Sequence, residues 1–251
     1  MAVNLSWSSR RKFLYSAIAG ILALIALVFV WNTFFNIPPT CQDGRQNGTE
    51  LGVDCGGMCS LVCSEQSRVP VVLWARAFPN GANNYTAAAY LQNNNPHAGA
   101  KAVQYSFQLF DEKNDLIIEQ RGVTDIPPLP TVPIVESNIN VGNRVVARTL
   151  FLFRSTPVWY TVVPESIPSV SGQSLAPDAS RLSATLSNTS ITDISRMSVV
   201  AVLFDANGVA RAASKSVVGS LAHKSKTTVV FTWPTPAADI VRTEITPLLS
   251  F

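Results

Sequence analysis

VQYSFQLFDEKNDLI, residues 103–117, and MSVVAVLFDANGVAR, residues 197–211, are two copies of one pattern. Each is an alternating strand that closes on Leu-Phe-Asp, passes a turn with Asn and enters another strand. The matching residues are Leu109, Phe110 and Asp111 with Asn114 in the turn of the first copy, and Leu203, Phe204 and Asp205 with Asn207 in the turn of the second. An L-x-N element precedes both, Leu91-Gln92-Asn93 and Leu186-Ser187-Asn188, and the Asn-to-Asp interval is 18 residues in one copy and 17 in the other. The agreement predicts duplication of one β unit. A strand that alternates faces buries only one of them, so each unit needs a second sheet to cover it.

Working outward, the strands fall into two groups. The first, in residues 67–155, takes VVLWARAF, YTAAAYLQN, VQYSFQLFD, LIIEQRG and VVARTLFLF; IPPLPTVPIVESN is an edge strand or long loop, because proline cannot serve a central ladder. The second, in residues 156–251, takes WYTVV, RLSATLSN, SVVAVLFD, VARAASKSV, TTVVFTWP and IVRTEITPL. Composition agrees: 16 Pro, 13 Gly and only 14% charged residues suit strands and turns better than surface helices. Strands every ~8–12 residues with Asn, Gly and Pro turns predict an all-β chain of two tandem immunoglobulin-like or fibronectin-like sandwiches.

Before them lies an uninterrupted apolar run, residues 13–35, with Arg10, Arg11 and Lys12 directly ahead and no charge inside it. About 20 apolar residues cross the ~30 Å hydrocarbon core. A cleavable signal has a shorter apolar region, roughly 7–15 residues, and ends in small residues; here Phe34 and Phe35 stand in that place. The expectation is a single retained span with residues 1–12 cytoplasmic and the bulk of the chain extracytoplasmic.

All four cysteines, Cys41, Cys55, Cys59 and Cys63, lie in residues 36–66. In an oxidising compartment they read as two disulfides, of three connectivities that sequence leaves open. Zinc is the competing reading, but the spacing C-x13-C-x3-C-x3-C lacks paired C-x2-C knuckles. The same segment sets Asp43, Asn47, Glu50 and Asp54 among glycines. Hard oxygens on a tightly turning chain are what calcium requires; the alternative is that these side chains bond their own backbone in turns. No other cofactor is expected.

Two resemblances follow. The string C-x-D-G-x-x-N-G-x-E-x-G-V-D-C-G-G-x-C-x-x-x-C, about a tenth of the chain, resembles a cysteine-rich motif of extracellular and cell-surface proteins of bacteria, often found beside β-sandwich modules. FQLFD, residues 107–111, resembles the F-x-L-Y-D element of a bacterial family of Ig-like domains, with Phe110 in place of Tyr. In AVLFD, residues 201–205, Ala201 replaces the first Phe. The likeness implies an extracytoplasmic sandwich without catalysis.

Catalytic constellations are not evident. The two histidines, His97 and His223, lie in turn-rich loops, and Asp111 and Asp205 occupy equivalent turns of separate repeats rather than one bond's two sides. Trp74, Trp159 and Trp233 read as core or sheet-face residues. No basic stripe with interleaved aromatics points to nucleic acid. The expectation is a membrane-anchored binding or scaffolding protein of the cell envelope, with an envelope protein as partner. The rival expectation is a ligand-sensing or carbohydrate-binding subunit of an envelope complex.

Overall fold

The computed structural model describes residues 7–34, 38–162 and 166–250. They fall into two compact units, one up to Gly57 and one from Met58. The first begins with helix α1, Trp7–Phe34, whose 28 residues include none that is buried. At 1.5 Å per residue it is about 42 Å long, enough by length and composition to cross a membrane. The helix starts six residues before the expected position. Arg and Lys are good helix formers, and the Arg11 guanidinium lies 3.7 Å over the Trp7 ring, so the basic triplet extends the helix instead of preceding it. The expected end at Phe35, residues 1–6 of the stretch expected to be cytoplasmic and Val163 of the expected WYTVV strand lie outside the described residues.

The second unit is all-β. Its strands are β1 Val71–Pro79, β2 Asn84–Gln92, β3 Ala98–Phe110, β4 Leu116–Ile126, β5 Thr131–Asn140, β6 Arg148–Phe153 and β7 Trp159–Thr161, then β8 Ser169–Leu175, β9 Arg181–Ser187, β10 Met197–Phe204, β11 Ala210–Val218, β12 Lys226–Thr232 and β13 Arg242–Leu249. The first sandwich packs sheet β1-β2-β5 on sheet β4-β3-β6, and the second packs β12-β9-β8 on β11-β10-β13. Strand for strand, β8 to β13 repeat the pairing of β1 to β6, so the duplication read in sequence is a duplication of topology. The proline-bearing β5 lies at a sheet edge, paired only with β2.

The L-x-N asparagines explain why that element is repeated. Asn93 Nδ2 donates to the carbonyls of Ala98 and Pro127, both at 3.2 Å. Asn188 Nδ2 donates to those of Thr192, Leu221 and Ala222 at 2.9–3.2 Å. Their backbone N–H groups reach Pro130 and Ser225 at 3.0 and 2.9 Å. Each buried amide thus ties the loop after the second strand to the loop before the fifth, satisfying carbonyls that neither sheet serves.

Two strand assignments differ from the sequence reading. Trp159–Thr161 does not open the second sandwich; it pairs with Ala98 to Ala100 of β3 in the first. Trp159 is buried there, and that burial outweighs chain order. Residues 60–62, at the end of the cysteine-rich segment, pair in turn with β7: Val62 N–H donates to Trp159 O at 2.9 Å and Thr161 N–H to Ser60 O at 2.7 Å. β8, SVSGQSL, had no apolar alternation to announce it because it is an almost wholly exposed edge strand.

Each sandwich has its own core. The first is built on Leu91, Phe107, Leu109, Ile126, Ile139 and Phe151, the second on Leu182, Leu186, Val199, Leu203, Phe231 and Trp233. A third cluster joins them: Phe78, Ala88, Tyr90 and Val135 of the first meet Val200, Val202, Phe204, Ala210 and Ala213 of the second. β2 and β10 therefore bury both faces over most of their length. That is why TAAAYL and SVVAVLF run continuously apolar where a half-exposed strand would alternate.

Candidate functional site

The cysteine-rich loop is held by its own polar groups. All four cysteines are disulfide-bonded and none is free, which removes thiolate ligation of zinc. Asp54 accepts the N–H groups of Asp43 and Gly44 at 3.0 Å. Asp43 accepts Arg45 N–H at 2.9 Å and Asn47 Nδ2 at 2.7 Å. Glu50 accepts Asn47 N–H at 3.2 Å and Asp54 N–H at 3.4 Å. The Asn47 amide, and then the loop's N–H groups, hold the Asp43 carboxyl below its ordinary value. The four residues weighed as calcium ligands are thus brought together, with the Asp43, Glu50 and Asp54 carboxylates turned toward N–H donors as in Asx turns and the Asn47 Oδ1 buried without a hydrogen-bond partner among the described residues. Gly57, at φ +62°, is required by the same geometry: a Cβ there would lie 1.9 Å from Thr49 O.

Asp111 and Asp205 do the same work in the two repeats. Asp111 Oδ1 accepts Lys113 and Asp115 N–H at 3.0 and 2.9 Å, and Oδ2 pairs with Arg144. Asp205 Oδ1 accepts Asn207 and Val209 N–H, both at 2.9 Å, and Oδ2 pairs with Arg211 at 2.8 Å. Asn114 and Gly208 supply the left-handed turn residue, φ 69° and 73°. Arg144 chiefly holds Asp111 below the ordinary carboxylate range; the Val209 N–H chiefly does so for Asp205. These carboxylates close hairpins.

His97, exposed at φ 66°, sits in the loop before β3. His223 faces Asp193 in the second sandwich, its backbone N–H and Nδ1 each 2.8 Å from one carboxylate oxygen. Trp159 and Trp233 are buried. Trp74 is half-buried and stacked on Tyr90 at 5.2 Å, so the three indoles pack the fold and do not form an exposed row.

The chemistry-bearing surface that sequence reading missed lies at the junction of the sandwiches. Tyr90 donates to Glu244, which also pairs with Arg242; Arg242 lies 4.1 Å over the Phe204 ring. On one flank is a cleft of about 220 Å³ lined by Phe78, Thr86, Arg211, Trp233, Pro236 and Asp239. Beside it is a groove of about 550 Å³ whose lining includes Arg76, Arg148 and Arg211. These arginines are dispersed over 136 positions, counting from 76 to 211, so no local motif marks them. The one available signal was the repeat itself. Arg148-Thr149-Leu150 and Arg242-Thr243-Glu244 share a register, Arg148 opposite Phe110 and Arg242 opposite Phe204, and Leu150 stands where the second copy has its carboxylate.

No protein-family model matches the sequence, and no curated protein is similar to it. Among solved structures, red sea bream transglutaminase is similar over 72% of this chain and 31% of its own length, at 12% identity and a TM-score of 0.26. A likeness that loose carries no argument.

Proposed function

We propose that this chain is a membrane-anchored, extracytoplasmic binding or scaffolding protein of the cell envelope. The observation that carries the reading is α1, 28 residues without a buried one, in a chain whose four cysteines are all oxidised. A long apolar helix that buries none of its residues among the described residues finds its solvent in a bilayer, and disulfides persist where thiols are not kept reduced. Arg10, Arg11 and Lys12 favour a cytoplasmic N-terminus. Beyond the membrane, two sandwiches joined by a buried junction make a stiff platform, and the polar side chains that first suggest chemistry are engaged in turns. The partner on this reading is an envelope protein. A second reading, a ligand-sensing subunit of an envelope assembly, draws on the arginine-lined groove.

Fractionation tests the anchor. Membranes washed with alkaline carbonate should retain the protein with its first residues present in the intact mass. Release into the wash, or a mature N-terminus beyond residue 35, would mean that α1 is a cleaved signal.

A further inference from the structure

We infer that the groove between the sandwiches is a binding site for a ligand bearing several phosphate groups. This deepens the binding reading and rests on it. The groove is walled by β1 from Ala75 to Pro79, by the start of β6 and by Ala210 and Arg211 of β11. Three arginines line it, and no aspartate or glutamate does. Arg211 is neutralised from outside by Asp205. Arg76 and Arg148 have no ion-pair partner among the described residues.

The two repeats differ at this arginine. In the second copy the arginine stacked on the Leu-Phe-Asp phenylalanine, Arg242, is paired with Glu244 two residues on. In the first copy Arg148 is stacked in the same way, 4.5 Å over Phe110, but the residue two positions on is Leu150. The ring holds the guanidinium in place while its charge is left unspent, so little side-chain entropy remains to be lost when a ligand arrives. A carboxylate, with two oxygens, satisfies one such fork; a phosphate offers more acceptor oxygens and up to two charges, which suits a groove lined by several arginines. A groove of about 550 Å³ has room for more than one phosphate.

The test is calorimetric titration of the full chain, held in zwitterionic lipid nanodiscs, with inorganic tripolyphosphate at ~150 mM salt, where diffuse surface attraction is screened. Saturable one-to-one binding is expected, with R76Q/R148Q weakening it about tenfold or more. R181Q/R196Q removes the same charge from outside the groove and should leave the affinity unchanged. R76K/R148K should fall between, since lysine keeps the charge and loses the fork. Arg76→Gln alone breaks no ion pair and serves if a double variant misfolds. Vesicles of phosphatidylcholine with and without cardiolipin, whose headgroup carries two phosphates, separate the sources: capture that needs the anionic lipid, and that tripolyphosphate competes away, identifies a lipid headgroup, whereas binding of tripolyphosphate without capture by the vesicles identifies a soluble polyphosphate. Absence of saturable binding, or equal weakening by both glutamine pairs, overturns the proposal. Either of those results in a protein that still resists carbonate would count against the groove and not against the anchor.

Discussion

Tyr90, on the second strand of the first sandwich, donates its hydroxyl hydrogen to Glu244 on the last strand of the second. Around that bond the Tyr90 ring stacks on Trp74 at 5.2 Å and meets the edge of Phe204 at 6.3 Å. The duplicated units are therefore not beads on a linker. Each copy spends its Leu-Phe-Asp strand differently: in the second, Phe204 is only 3% exposed and buried against the first sandwich, whereas its counterpart Phe110 lies under Arg148, which lines the groove.

Phe204→Ala should cost about 3–5 kcal/mol, the usual range for emptying a buried aromatic site, and Tyr90→Phe about 1.5–3 kcal/mol for a hydrogen bond to a charged acceptor. Denaturant unfolding of the parent should follow a single transition, and both variants should shift it as a whole. Two separate transitions, with only one moved, would show that the sandwiches fold independently.

The pH dependence has a definite sign at both ends. Asp111 and Asp205 have carboxyls held below the ordinary value of 3.8, so their contribution is fully present above pH 3.8 and is lost as the pH falls through the lower folded-state values. Burial, then the Glu244 bond, raises the Tyr90 hydroxyl above its ordinary 10.0; its contribution is present below pH 10.0 and is lost as the pH climbs toward the folded value. Melting temperature against pH should fall at both ends. Asp205→Asn should flatten the acid limb and Tyr90→Phe the alkaline one.

Much of this fold is legible in the residues. The L-x-N and Leu-Phe-Asp repeats locate equivalent hairpins because an asparagine or aspartate that bonds the backbone leaves a local signature. The junction was written too, in the continuous apolar runs of β2 and β10, but an apolar run states only that both faces are covered, not by what. β8 was illegible because a polar edge strand needs no pattern, and the Arg76–Arg148–Arg211 groove because it is assembled from three distant strands. The polar loop residues Asp43, Asn47, Glu50 and Asp54 were legible as a cluster; sequence could not say which way their oxygens turn.

Gly57→Ala should open the cysteine-rich loop, since the new methyl would collide with Thr49 O and the residue would hold a positive φ. A cost of about 1–3 kcal/mol is expected, read as faster tryptic cleavage after Arg45. With the carboxylates occupied by N–H donors, a calcium chelator should leave the cleavage rate of the parent unchanged; acceleration by the chelator would show that an ion completes the loop.

Protein isolated without reductant should contain no free thiol. Reduction should loosen more than the loop: Cys59 and Cys63 are buried at 3% and 4% exposure and flank residues 60–62, which pair with β7. Amide exchange should rise at Val62 and Thr161 on reduction while the β signal in circular dichroism persists, because neither core contains a cysteine.

Proteolytic shaving of intact cells followed by mass spectrometry tests the reading most directly. An N-terminus held inside by Arg10, Arg11 and Lys12 predicts release of peptides from the sandwiches, residues 71–249, with peptides of the first dozen residues appearing only after lysis. Release of the N-terminal peptides from intact cells, with the sandwiches protected until lysis, would contradict it.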